Sequence, residues 1–190
     1  MLLKIRQAGE AVLRRPARTL TPDEILSAAI QRLIADMGET MRDAPGVGLA
    51  APQIGEPVQL AVIEDRPEYF LNLSAREIAG HGRREVSFQV IINPVLSLIG
   101  DETTDFFEGC LSIPGFTASV ARQRLVAVRC LDENAQPKII EASDWHARIL
   151  QHEIDHLFGI LFTDRMDPRT FMTNANYLRY CRGKAGTEGK

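Results

Sequence analysis

The stretch HEIDH, residues 152–156, constrains this chain more than any other feature. On an α-helix His152 and His156 lie one turn apart on one face, so both imidazoles reach a single metal ion. Glu153 is rotated to the side, where its carboxylate can face water at such a metal without being a ligand. Ile149, Leu150, Ile154 and Leu157 make this helix largely buried, and buried histidines need partners. A solvent-facing histidine pair is therefore the weaker reading. Two ligands do not complete a catalytic site, so a third must come from elsewhere.

The extended metalloprotease pattern HExxHxxGxxH holds as far as Gly159 and then ends on Phe162. The arrangement with a distant glutamate fails too, because the only glutamate after His156 is Glu188, in the tail. Asp164 and Asp167 stay open but lie close to the helix end. Upstream, FFEGCLSIPGF (106–116) places Cys110 in a sharp, irregular stretch between apolar segments. A free cysteine is usually a small buried hydrophobe. Beside a metal it becomes a thiolate ligand, and Cys110 with His152 and His156 leaves one position open. Cys130, in a strand, and Cys181, near the tail, take the plainer structural role. Three widely spaced cysteines make no disulfide framework and suit a reducing cytoplasm.

The 190 residues suffice for one domain with a sizeable core, spanning 1–190 with a disordered tail from about residue 182. A net charge of −3 gives no reason to expect nucleic acid or an anionic membrane as partner. No apolar run is long enough to span a bilayer. Lys4 and Arg6 stand where a signal peptide needs its apolar stretch, so the N-terminus reads as the first element of the fold. A helix follows from Thr21, which caps it in a capping box with Glu24. Ile25, Leu26, Ala29, Ile30, Leu33, Ile34 and Met37 form its apolar stripe. VQLAVIE (58–64) reads as a strand, and the polar stretch 64–86 as a surface loop with His81 in solvent. FQVIINPVLSLIG and RLVAVRCLD are further strands, and ENAQPK marks a hairpin. The HExxH helix starts near Ser143 or Asp144 and stops at Gly159. Strands precede it without regular alternation, which predicts an α+β fold of largely antiparallel sheet packed around a central metal-binding HExxH helix.

GVGLAAPQ (46–53), EGCLS (108–112) and QHEIDHL (151–157) together resemble the three signature motifs of the peptide deformylase family, in order. The resemblance runs from about Ile5 to about Tyr180. The 64–90 segment, IPGF, DWHARI and DRMDPRTF are similar to the organellar-like branch, while the N-terminus favours a bacterial cytoplasm; an organellar origin stays open. The resemblance implies hydrolysis of the N-formyl group from the initiator methionine of new polypeptides, releasing formate. It implies Fe2+ on Cys110, His152 and His156, with Zn2+, Ni2+ or Co2+ as substitutes, and Glu153 moving the proton. It assigns charge stabilisation on the formyl oxygen to the Gln53 side chain and the Leu111 backbone N–H. Gly46, Val47 and Gly48 would pair with an extended peptide, although without the resemblance a plain tight turn is the preferred reading of the glycines. The partners implied are formyl-Met nascent peptides and a transient encounter with the ribosome, with no sequence-specific nucleic acid and no membrane.

Helical spacing adds a pocket. Trp145, Arg148, Ile149 and His152 share a face, so Trp145 and Ile149, with Val47 and Phe106, would frame an apolar slot for an unbranched side chain. Ile149 suits core as well as pocket, and His146 points away as a non-ligand. Two other classes remain in view: a zinc endopeptidase, which needs a cleft open at both ends, and a metal-stabilised binding domain, which has no use for Glu153 or Gln53.

Overall fold

The computed structural model describes residues 1–182; the tail GKAGTEGK, expected to be disordered, lies outside the described residues. Five antiparallel strands run in chain order across one sheet: β1 Gly48–Ala50, β2 Leu60–Asp65, β3 Val86–Cys110, β4 Ile113–Leu131 and β5 Pro137–Ser143. The expected hairpin joins β4 to β5, with Leu131 opposite Pro137. β3 and β4 form one long hairpin whose pairing shifts at Ile92/Val95, Ile99/Thr103 and Glu108/Cys110. Such irregularities bend a ribbon and raise its twist. A two-residue tip, Leu111–Ser112, closes it, because Cys110 pairs with Ile113.

Leu60, Ala61, Val62 and Ile63 are all fully buried, which gives the layering. Successive side chains of a strand point to opposite faces, and a continuous apolar run means that both faces are covered. Leu60 and Val62, with Val90 and Ile92, pack against Ile34, Met37 and Met41 of the helix Ala28–Asp43. Ile63 and Ile91, with Val126, Val128 and Ile140, pack against Ala147, Ile149, Leu150 and Ile154 of the helix Asp144–Leu157. The sheet is thus sandwiched between two helices.

The helix expected from Thr21 is in fact two, α1 Pro22–Leu26 and α2 Ala28–Asp43. The Thr21–Glu24 capping box is present. Ser27 then adopts extended backbone, ends α1 and caps α2 by accepting from the Ile30 N–H. This break turns Leu26 out of the stripe, and it is exposed. The loop expected over 64–86 contains a 3-10 turn, Pro67–Phe70, and a helix, α3 Ala75–Gly80, nucleated by a Ser74–Glu77 capping box. His81 is not solvated there: it stacks on Trp145 and meets Phe106 edge-on.

The HExxH helix, α4 Asp144–Leu157, ends as expected before Gly159, which has φ 75°. It touches each of β1 to β5. Burying Leu150 completely in such a setting stabilises the fold by roughly 2–5 kcal/mol relative to alanine. A short strand, β6 Met172–Thr173, pairs with β4, and α5 Asn174–Tyr180 follows. The N-terminal segment lies across the β3–β4 tip as a strap. Its Arg6 N–H donates to the Gln53 carbonyl at 2.7 Å and its Ala8 N–H to the Ser112 carbonyl at 2.9 Å. No helix among the described residues is long and apolar enough to cross a membrane.

Candidate metal centre

α4 is buried on almost every side, polar residues included. Each of those polar groups must find a partner or a ligand inside the protein. His152 and His156 project together, with Nε2 to Nε2 at 3.2 Å, and the Cys110 Sγ lies 3.3 Å from His156 Nε2. The three donor atoms lie within 4.8 Å of one another. Tetrahedral bonds of about 2.1 Å to nitrogen and 2.3 Å to sulfur place donors about 3.4–3.6 Å apart, so the triangle fits one metal with little movement.

Burial alone would lower His152, but Cys110 and Glu108 draw it well above its ordinary value, whereas burial and then His152 itself push His156 well below.

Asp164, the alternative ligand, is engaged elsewhere, accepting from the Leu161 N–H and pairing with Arg14. Cys130 lies in the core, where burial raises its thiol. Cys181 lies 3.8 Å from the Met172 sulfur. His146 is buried away from the cluster, and burial lowers it to about 4.

Glu153 is buried beside the triangle, and its Oε2 has no hydrogen-bond partner among the described residues. Burial raises it to about 7. Gly48 is what lets it sit there, since a β-carbon on Gly48 would collide with the Glu153 carboxylate. This close approach is within the chain, a use of Gly48 that sequence did not suggest. A β-carbon on Gly46 would likewise come within 2.9 Å of Leu111 Cδ1. Gln53 closes the 3-10 turn after β1 and is buried. Its Oε1 accepts from the Ala50 N–H at 2.8 Å, so its amide NH2 turns toward Ser112 Oγ at 3.3 Å and Cys110 Sγ at 3.5 Å.

A cavity of about 310 Å³ opens beside these groups, lined by Gly46, Val47, Gly48, Gln53, Leu111, Trp145, Ile149 and Glu153. That is the small end of ligand pockets. Ile149 serves both pocket and core. Phe107 lines the cavity, whereas Phe106, the residue expected there, packs under the Arg148 guanidinium and against His81. Alternation along β3 separates the two rings.

Sequence reasoning missed the layer behind the donors. Glu108 Oε2 accepts from His152 Nδ1 and Arg122 Nη2, each at 3.0 Å. Its Oε1 accepts from Arg122 Nε at 2.9 Å and Arg148 Nη1 at 2.6 Å. Arg122 continues to Asp155, which also takes a two-pronged contact from Arg165 at 2.6 and 2.7 Å. Burial would raise Glu108, but the bonds from His152 and Arg122 outweigh it and hold the carboxyl well below its ordinary range. A carboxylate only accepts, so His152 donates to it from Nδ1, which leaves Nε2 as the ring atom that faces His156 and Cys110. A strand reading of residues 106–110 would have put Glu108 on the Cys110 face two residues away.

Fold and site together set an HExxH helix against an antiparallel sheet and bring Cys110, His152 and His156 into a cluster able to hold one metal ion. The chain belongs to the polypeptide deformylase family, whose model matches residues 2–172. It is similar to "Peptide deformylase 1A, chloroplastic" of Solanum lycopersicum, 49% identical over 90% of this chain and 62% of that protein. The chain therefore spans less than two thirds of that relative's length. "Peptide deformylase 3" of Streptomyces avermitilis is 41% identical over 90% of this chain and 75% of its own. A crystal structure of a class I type b peptide deformylase from Acinetobacter baumannii, bound to Met-Ala-Ser, superposes with a TM-score of 0.77. It is 30% identical and covers 87% of this chain and 99% of that one.

Proposed function

We propose that this chain removes the formyl group from the N-terminal formylmethionine of newly made polypeptides, releasing formate and a free amine. The observation that carries the reading is the Cys110–His152–His156 triangle with the buried, unpartnered Glu153 carboxylate beside it. Family membership and the bacterial and chloroplast relatives support it.

Cys110, His152 and His156 would hold the metal, which we assign as Fe2+ with Zn2+, Ni2+ or Co2+ as substitutes. Once bound, it supplies Lewis acidity at the formyl carbonyl and makes water acidic enough to attack near neutral pH. Glu153 takes the proton from the attacking water and returns it to the leaving nitrogen, a task suited to a carboxyl raised to about 7. Negative charge gathers on the formyl oxygen as its carbon becomes tetrahedral. The Gln53 NH2, already turned toward the site by its bond to Ala50, and the Leu111 N–H are the donors we assign to it.

Among the described residues β1 pairs only with β2 and ends the sheet. An extended peptide can add there along Gly46, Val47 and Gly48. Its methionine side chain enters the slot of Val47, Trp145, Ile149 and Phe107. A substrate that exists only on new chains implies a transient encounter with the ribosome and, in a bacterium, a cytoplasmic site of action.

The test is formate release from formyl-Met-Ala-Ser by the anaerobically purified protein, with acetyl-Met-Ala-Ser as control. Glu153→Gln should lower turnover by roughly 10²–10⁴-fold with metal content unchanged in the same sample. Activity near wild type, or loss of the metal, would remove Glu153 from the role.

A further inference from the structure

Trp145 faces two ways. Beside Val47 and Ile149 it lines the cavity, and it is also gripped by the excursion between β2 and β3. The Arg83 guanidinium carbon lies 5.0 Å over the indole centroid and 5.1 Å over the Phe70 ring. It is fixed in that position, because Nε and Nη2 donate to Asp65 Oδ2 and Oδ1 at 2.7 and 2.8 Å. Asp65 is wholly buried at the end of β2. His81 lies nearly parallel to the indole, with 5.6 Å between centroids and 15° between planes, and its other neighbour is Phe106 at 4.4 Å.

Gly82 makes this arrangement possible. It has φ +56°, and a β-carbon there would come within 2.7 Å of Asp144 Cβ. The backbone therefore passes against the start of α4, where His81 and Arg83 both reach the residue after Asp144. Burial, then the charges of Arg83 and Arg148, hold His81 below its ordinary value, so a neutral ring meets the indole.

We propose that Arg83 and His81 are positioning residues for Trp145, and that through them the 66–83 excursion sets the width of the pocket for the substrate's side chain. The inference rests on reading that pocket as the methionine site. A tryptophan on the first turn of a helix has rotamer freedom on its solvent side. A guanidinium clamped between two rings removes that freedom, and a fixed wall can reject side chains wider than methionine. A loose wall loses that discrimination and must be ordered each time substrate binds.

Arg83→Gln tests this directly, since it keeps the apolar stem and loses both the charge and the fork. KM for formyl-Met-Ala-Ser should rise roughly 3–20-fold while kcat stays within about twofold. The preference for formyl-Met over formyl-Phe peptides should narrow, and Arg83→Lys should recover part of both losses. Trp145 is the only tryptophan in the chain, so acrylamide quenching of its fluorescence reads the clamp without any reaction, and it should rise in Arg83→Gln. Should Arg83→Gln fail to fold by circular dichroism, Gly82→Ala and His81→Leu carry the same expectations. Quenching, KM and selectivity all unmoved in folded variants would overturn the proposal while wild-type formate release left the deformylase reading intact. Raised quenching with unmoved KM and selectivity would overturn the pocket-width claim. A wild type that releases no formate removes the methionine pocket and the width claim with it, and quenching then decides the clamp alone.

Discussion

Replacing Glu108 by glutamine changes one oxygen into an NH2 group, and the geometry fixes what that must do. Each carboxylate oxygen takes two donors: Arg122 Nε and Arg148 Nη1 on Oε1, Arg122 Nη2 and His152 Nδ1 on Oε2. In the place of Oε1 the amide NH2 leaves two arginine N–H donors without an acceptor; in the place of Oε2 it leaves one, because His152 can move its proton to Nε2 and accept at Nδ1. Leaving a buried charged donor without its partner costs about 1.5–3 kcal/mol. One or two such losses come to about 1.5–6 kcal/mol, a range that includes the 3–5 kcal/mol typical of breaking a buried ion pair. In the second orientation the donor lone pair on Nε2 is lost, and metal affinity should fall by about 10–100-fold. Urea unfolding of the metal-free protein gives the first quantity, and competition with a chromophoric chelator gives the second. A Glu108→Gln protein less than about 1 kcal/mol destabilised, with metal affinity within about threefold of wild type, would show that this carboxylate neither holds the arginines nor orients His152.

With metal bound, Cys110 should resist alkylation and become reactive after chelation, while Cys130 and Cys181 show no dependence on metal; mass spectrometry of iodoacetamide-labelled peptides checks this. Protein prepared without oxygen should be most active with Fe2+ and lose activity in air, because an open iron site beside a thiolate is exposed to oxidation. The Zn2+ form should be slower and stable in air; equal turnover of the two forms counts against this metal assignment. His146 is held near 4 against 6.5 in the unfolded chain. Its protonation therefore opposes folding increasingly as pH falls from about 6.5 and saturates below about 4, an effect of about 3 kcal/mol. Wild type and His146→Gln should diverge across that window in their stability profiles, and parallel profiles would contradict the burial argument.

The most legible parts in the sequence were those governed by local spacing. His152, Glu153 and His156 fall one turn apart on a helix whose flanks are apolar, and α4 begins and ends where its caps said. VQLAVIE and ENAQPK were equally readable, one as a strand and the other as a hairpin. A serine inside an apolar stripe leaves the pattern of one continuous helix intact, yet the Ser27 side chain captures the Ile30 N–H and restarts the helix. The polarity of 64–86 favours a loop, but a Ser–x–x–Glu box stands at Ser74 and Glu77. The Glu108–Arg122–Asp155–Arg165 chain is another matter. Arg122 lies 14 residues from Glu108 and 33 from Asp155. Its partners are chosen by strand register and helix docking, which no local pattern encodes. Phe107 in place of Phe106 is the same lesson at the scale of one residue, since alternation along β3 sends one ring to the cavity and the other to Arg148 and His81.

The three donors stand on elements of unequal permanence. α4 leans on every strand from β1 to β5, so its amides should be among the last to exchange. Cys110 sits instead at a two-residue hairpin tip, tied down by the strap through Ala8 to Ser112 and by Gln7 Nε2 to the Leu111 carbonyl at 3.4 Å. Departure of a bound ion would then be expected to begin at the tip, and residues 6–8, far in sequence from Cys110, would set its residence time. Loosening that strap should shorten metal dwell time with little change in how tightly the folded site coordinates. Faster amide exchange at Leu111 and Ser112 than along 149–156 is the signature to expect.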